Sequence, residues 1–217
     1  MARPRKFSRD RLQEAALAIV DEQGASALSM RVLAARLGAG PMTLYGHVAS
    51  REELDVLVVE AVLSQASWSR EPHADWRQEV REIALASWRA VRAHPHAIPL
   101  ILTRRTRSPA ALEAGEALLA ALARGGLGGR RLLHAFRAIT AFVTGFAQAE
   151  LAGPLAANAG QTAAETIERV RALGDERFAQ LVALADQAAT SDPESEFLGG
   201  LDILIAGMAA FAEVDRR

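Results

Sequence analysis

Apolar residues recur at helical spacing from the first turns of the chain. Leu12, Ala15, Ala16, Ile19 and Val20 form one stripe, with Ser8 as its cap, Phe7 placed to staple against Leu12, and Gly24 as its end. A second helix is predicted from the Ser29 cap through Leu37, where Gly38 supplies the left-handed residue that closes it. A third, about two turns long, restarts at Pro41, where a missing N–H costs nothing. Ser50 to Glu53 then fits the S-x-x-E capping box, and Leu54, Leu57, Val58, Ala61 and Val62 follow on one helical face. Beyond Asp75 the period stays helical, and Gly and Pro fall at breaks: His94-Pro95, Ser108-Pro109, Gly125 to Gly129 and Gly153-Pro154. The polar, small-residue stretch 153–162 reads as a loop, and Asp192-Pro193 as the cap and first position of the last helix. Two segments, roughly Arg130 to Leu151 and Glu194 to Val214, are apolar nearly all round and demand partners on both faces. With no strand signal, the predicted fold class is all-α.

Residues 28–54 carry the sharpest pattern. Helix, glycine turn, short helix and freshly capped third helix leave the middle element free to protrude, which is the arrangement of a DNA-reading helix-turn-helix. Leu44 and Val48, four apart, are predicted to face inward, leaving Pro41, Met42, Thr43, Tyr45 and His47 around the outward side. Thr43 can bond a base or a phosphate, Met42 can touch a thymine methyl, and Tyr45 and His47 can donate to phosphate oxygens. The structural alternatives are a Tyr45 ring packed under the motif and a His47 that is simply a satisfied surface histidine.

Charge sharpens this reading. The net charge of −1 argues against a nucleic-acid partner until it is divided along the chain. Residues 1–51 hold eight Lys/Arg against four acids, and the remaining 17 basic and 22 acidic residues leave the rest of the chain negative. A basic head on an acidic body is the electrostatic footprint of local phosphate binding. Arg3, Arg5 and Lys6, beside Pro4, read as a basic arm that folds against DNA, the alternative being a merely disordered terminus. The chain has no cysteine, which removes disulfides, thiolate metal sites and cysteine nucleophiles and fits a reducing cytoplasm. No signal-peptide pattern appears, and the longest apolar run, Phe197 to Ala212, carries Asp202 and falls short of the about 20 residues a membrane span needs. A cytoplasmic protein with no membrane partner is expected.

The stretch SMRVLAARLGAGPMTLYGHVASREEL, with its LAxxLG, TLYxHV and REEL elements, resembles the tetracycline-repressor (TetR) family of bacterial transcription regulators. The resemblance extends more loosely to a helix start at Trp76, a helix ending at His94 and the C-terminal FLGGLDILIAGM. It implies a helix-turn-helix DNA-binding domain over residues 1–50, a connecting helix over 51–65, and a larger helical ligand-binding and dimerisation domain over 66–217. It also implies a homodimer through a four-helix bundle, for which the two all-round apolar helices are the natural candidates. Gly199, Gly200, Ala206, Gly207, Ala209 and Ala210 would let another backbone approach. The bland alternative is that both helices are core of a monomer.

Carried over by position, the resemblance adds Ser29 and Arg31 at the start of the second helix to the DNA-binding set. Arg31 matches a position that reads guanine, where arginine can make a bidentate contact. Arg51 matches a phosphate-contacting lysine. Gly46 stands where the tetracycline repressor has tryptophan and Pro41 where it has glutamine, so the operator sequence does not transfer.

For the ligand half, the positions that hold magnesium-chelating histidines in the tetracycline sensor fall on Ile101 and Ala141, and a further histidine on Ala66. Its drug contacts fall on Ile83 and Ser87. Magnesium–tetracycline sensing is therefore not expected, and no metal or cofactor is assigned, only an unidentified small-molecule effector. The candidate ligand residues are the polar stripe Arg137, Thr140, Thr144 and Gln148 beside Phe136, together with Trp88, Arg92 and Arg104. The stripe serves equally as a source of intrachain or cross-dimer hydrogen bonds. The run Arg104, Arg105, Arg107 reads either as an anion attractor or as a solvated helix end. His94 and His96 do not make a metal site by themselves.

No phosphate loop, nucleophile elbow or zinc-protease motif is present, so an enzyme is not expected. The leading expectation is a dimeric repressor that binds a palindromic double-stranded DNA operator and is released by a small molecule. The competing one is a small-molecule-binding or scaffold module that keeps the fold without binding DNA.

Overall fold

The computed structural model describes residues 7–69, 71, 75–152, 165, 168–169, 171–172, 178–188 and 191–214. The basic arm residues Arg3, Arg5 and Lys6 and the expected loop 153–162 lie outside these. Among the described residues every regular element is helical, in two compact units, residues 1–121 and 122–217.

The first unit begins with α1 (Arg9–Gln23), α2 (Met30–Arg36), α3 (Pro41–Leu44) and α4 (Arg51–Leu63). Each cap read from sequence is in place. The Oγ atoms of Ser8, Ser29 and Ser50 accept from the N–H of Arg11, Val32 and Glu53, each at 3.2 Å. The capping box at α4 is reciprocal, with Glu53 Oε2 accepting from the N–H of Ala49, one residue before the cap, at 2.7 Å. Gly38, at φ 64°, closes α2: its N–H reaches the Ala35 carbonyl and that of Ala39 the Ala34 carbonyl. A side chain at Gly38 would strain this left-handed residue, and with it the turn that aims α3. The third helix is shorter than expected, one regular turn over Pro41–Leu44 followed by an irregular turn at Tyr45 to His47.

Helix α4 is the hub of this unit. The sequence predicts a single buried stripe, yet Asp55, Val56 and Val59 are buried along with Leu54, Leu57, Val58, Ala61 and Val62. Helix α1 packs on one side, and α5 (Trp76–Arg92) and α6 (Ile98–Arg104) on others. The unit continues into α7 (Pro109–Arg124), whose first turn is tied to α4: Glu60 accepts from the Ser108 hydroxyl and from the N–H of Ala110.

The second unit is built on α8 (Gly129–Ala152) and α10 (Pro193–Val214), with α9 (Ala179–Ala188) between them in sequence. Helices α8 and α10 run antiparallel, since Phe142 and Phe146 meet Phe197 while Arg131 donates to the Phe211 carbonyl. Asp192 caps α10 by accepting from the N–H groups of Glu194 and Ser195, and the Ser195 bonds are the main reason its carboxyl is held below the usual range. Over Pro193–Ala212, α10 is long and apolar enough to cross a membrane by length and composition, contrary to the sequence-based length argument. Its Phe197, Leu201, Ile205, Met208 and Ala212 are nevertheless buried, as in a core helix. Gly200 serves this core rather than a second backbone. A β-carbon there would lie 2.7 Å from the tip of the Phe142 ring.

Candidate nucleic-acid interface

The exposed face of the helix-turn-helix is built by what it buries. Leu44 and Val48 anchor α3 and the turn after it, as their spacing predicts. Met42 is left 82% exposed and Tyr45 52%, with Pro41 and Thr43 also at the surface. The Tyr45 ring therefore does not pack under the motif, and its hydroxyl is free to reach a phosphate. Arg31, in the first turn of α2, is exposed on the preceding helix. His47 is half-buried, its ring 6.1 Å from that of Phe7 in an edge arrangement. Phe7, buried itself and covered by the Arg11 guanidinium, thus packs at the end of the recognition element. Ser29 has its hydroxyl committed to capping α2, and Arg36 is held bidentate by Glu22 at 2.5 and 2.7 Å.

Arg51 departs from the expectation of a free phosphate contact. Its Nη1 donates to the Leu28 carbonyl, its Nη2 to the Ala25 carbonyl at 3.0 Å, and its Nε to Asp55 Oδ1 at 2.9 Å. One guanidinium thereby fastens the start of α4 to the turn that leads into α2. Asp55, 5% exposed, also faces Arg104 Nε at 3.6 Å. The signal for this clamp was present in the sequence: an acid inside the apolar run LDVLVV needs a partner, and Arg51 stands four residues before it. Arg51→Ala is expected to destabilise the protein by about 1–3 kcal/mol in urea unfolding, because it strips a buried carboxylate and two carbonyls of their donor. Unchanged stability with a uniform loss of DNA affinity would instead restore the phosphate-contact role.

The candidate ligand residues fall in both units. Trp88 is buried under the Arg92 guanidinium in the first unit, and Arg104 turns to Asp55. In the second unit the hydroxyls of Thr140 and Thr144 donate to the carbonyls of Phe136 and Thr140, at 2.9 and 2.8 Å, so the helix itself satisfies them. Arg137 and Gln148 are exposed.

A cavity of about 780 Å³, large enough for a small organic molecule, opens in the first unit between the end of α4 and α5. Gln65, Trp68, Glu82, Leu85, Ala86 and Arg89 are among its lining residues, and none of them belongs to the predicted set. Gln65 meets His94 Nε2 at 2.9 Å, and His94 Nδ1 meets Asp21 of α1 at 2.9 Å. His96 Nδ1 reaches the Asp21 carbonyl oxygen at 3.0 Å. The two histidines flanking Pro95 thus tie the region beside the cavity to the first helix of the DNA-binding head. Only the three-dimensional fold could reveal this, since Asp21 lies 73 residues from His94.

Comparison with known proteins agrees with this architecture. Residues 69–212 match the tetracyclin repressor-like C-terminal domain family. The chain is 34% identical to an HTH-type transcriptional regulator of Saccharopolyspora erythraea, over 98% of this chain and 92% of that one. It is 30% identical to the HTH-type transcriptional repressor DrrR1 of Streptomyces coeruleorubidus, over 91% of this chain and 78% of that one. The apo structure of ActR from Streptomyces coelicolor superposes with a TM-score of 0.81 at 30% identity, covering 99% of each chain, and the same protein has been solved with actinorhodin bound. These relatives are regulators of transcription rather than enzymes. The chain belongs to the tetracycline-repressor (TetR) family of transcriptional regulators.

Proposed function

We propose that the protein is a cytoplasmic homodimeric repressor that binds a palindromic double-stranded DNA operator and releases it when a small organic effector binds. The observation that carries the reading is the outward face of the helix-turn-helix. Arg31, Met42, Thr43 and Tyr45 stand exposed together while Leu44 and Val48 anchor them, an arrangement suited to a major groove.

The dimer is supported by a stripe on α10. Gly199, Ile203, Ala206, Gly207, Ala210 and Phe211 are exposed at helical spacing, with Ile203 76% and Phe211 64% exposed. An apolar stripe this continuous on one helix calls for another helix to cover it. On α8, the exposed Leu133, Arg137, Ala141, Gly145 and Gln148 share one face, which favours the dimer role for Arg137 and Gln148 over the ligand role. Small residues in the middle of both stripes permit close approach. ActR, at 30% identity, binds actinorhodin, and this supports a small organic effector here.

The test is fluorescence-anisotropy binding of the full chain to the intergenic DNA flanking its own gene, against an unrelated duplex, across a salt series. Preferential binding that falls steeply with salt is expected. A chain that prefers no duplex at any salt, in this assay and in genome-wide selection, would favour the scaffold reading. Arg31→Ala is expected to relax preference at one base pair of each half-site and to cost about 1–3 kcal/mol per half-site against the preferred base. An unchanged preference at every position would remove Arg31 from base reading.

A further inference from the structure

We propose that Arg105 and Arg107, on the 3-10 turn between α6 and α7, form a second phosphate-binding patch that extends the DNA-binding surface beyond the helix-turn-helix. The inference rests on the DNA-binding reading above.

The turn Arg105–Arg107 packs on α4, the next helix after α3 in the chain. Both arginines are exposed, and neither guanidinium is hydrogen-bonded or ion-paired to any described residue. Their neighbour Arg104 is different: it turns inward to the buried Asp55. Three arginines within four residues thus divide into one that braces the α4 hub and two at the surface, a concentration of like charge that attracts anions.

The direction of this charge is read from Glu52, an exposed acid in the first turn of α4. Its carboxyl is held below its ordinary range first by its own backbone N–H, then by the Ser50 hydroxyl, and further by the charges of Arg104 and Arg107. The charges of Arg104 and Arg107 therefore act at the end of α4 nearest the recognition element. There they offset an acid that would otherwise repel the phosphate backbone. Residues 1–51 already carry the basic excess of the chain, and Arg105 and Arg107 extend it into a region about fifty residues further along the sequence. An arginine side chain reaching phosphate needs no base-specific geometry, so the patch adds affinity without sequence preference.

The experiment compares wild type with Arg105→Ala/Arg107→Ala and with Arg105→Lys/Arg107→Lys, using the intergenic duplex and an unrelated duplex over a potassium chloride series. Thermal unfolding confirms that each variant folds as wild type does. The alanine pair is expected to weaken both duplexes by a similar factor and to flatten the salt slope by about 2–4 for a dimer, near 0.9 per lost phosphate contact. The lysine pair is expected to keep the wild-type slope. Arg130→Ala, an exposed charge in the other unit, is expected to leave it unchanged. An alanine pair with the wild-type slope, or an equal flattening by Arg130→Ala, overturns the patch while leaving the reading head intact. A wild-type chain that binds neither duplex overturns both.

Discussion

Ile203→Glu is expected to convert the dimer to a monomer and to lower affinity for a two-half-site duplex by about 10²- to 10⁴-fold, with no residue of the reading head altered. Ile203 is 76% exposed on α10, inside a stripe of Gly199, Ala206, Gly207, Ala210 and Phe211. A carboxylate costs nothing at that position in a solvated monomer. Buried against a partner helix it would be desolvated without a counter-charge, and the interface would give way. Each head would then find its half-site alone, losing the effective concentration that linkage provides. Light scattering gives the mass and anisotropy the affinity. A variant that stays dimeric and binds as wild type would place the dimer surface elsewhere.

Phe197→Ala is expected to cost about 3–5 kcal/mol of stability, measured by urea unfolding at fixed protein concentration so that dimer linkage is held constant. Phe197 is fully buried, stacked on Phe142 with ring centroids 5.3 Å apart and edge-on to Phe146 at 5.5 Å. These three rings are where α8 and α10 hold each other. Gly200, one turn along α10, leaves the space that the Phe142 ring fills. Truncating Phe197 opens a cavity that two rigid aromatic neighbours collapse into poorly. A loss under about 1 kcal/mol would mean that the helices repack readily and that the second unit is held by other contacts.

Local architecture is legible in the residues alone. The caps at Ser8, Ser29 and Ser50, the left-handed turn at Gly38 and the breaks at Pro95 and Pro109 all stand where the residues place them. So does the inward pair Leu44 and Val48, and with it the outward Pro41, Met42, Thr43 and Tyr45, whereas His47 of the same set is half-buried. A cap is decided by hydrogen bonds within three or four residues, and a face by the helical period, so both can be read from neighbours alone.

What distant residues do to each other depends on the folded chain. Arg51 donates to carbonyls 23 and 26 residues earlier, a use that resemblance by position does not reveal. The Thr140 and Thr144 hydroxyls look unsatisfied in a pattern of polar positions, yet each closes on its own helix. Around the first-unit cavity Glu82, Leu85, Ala86, Arg89 and Ala90 share one face of α5, but they meet Gln65 and Trp68 only because the end of α4 and α5 lie side by side. Periodicity reports which face a side chain occupies; its partner depends on which segments the fold brings together.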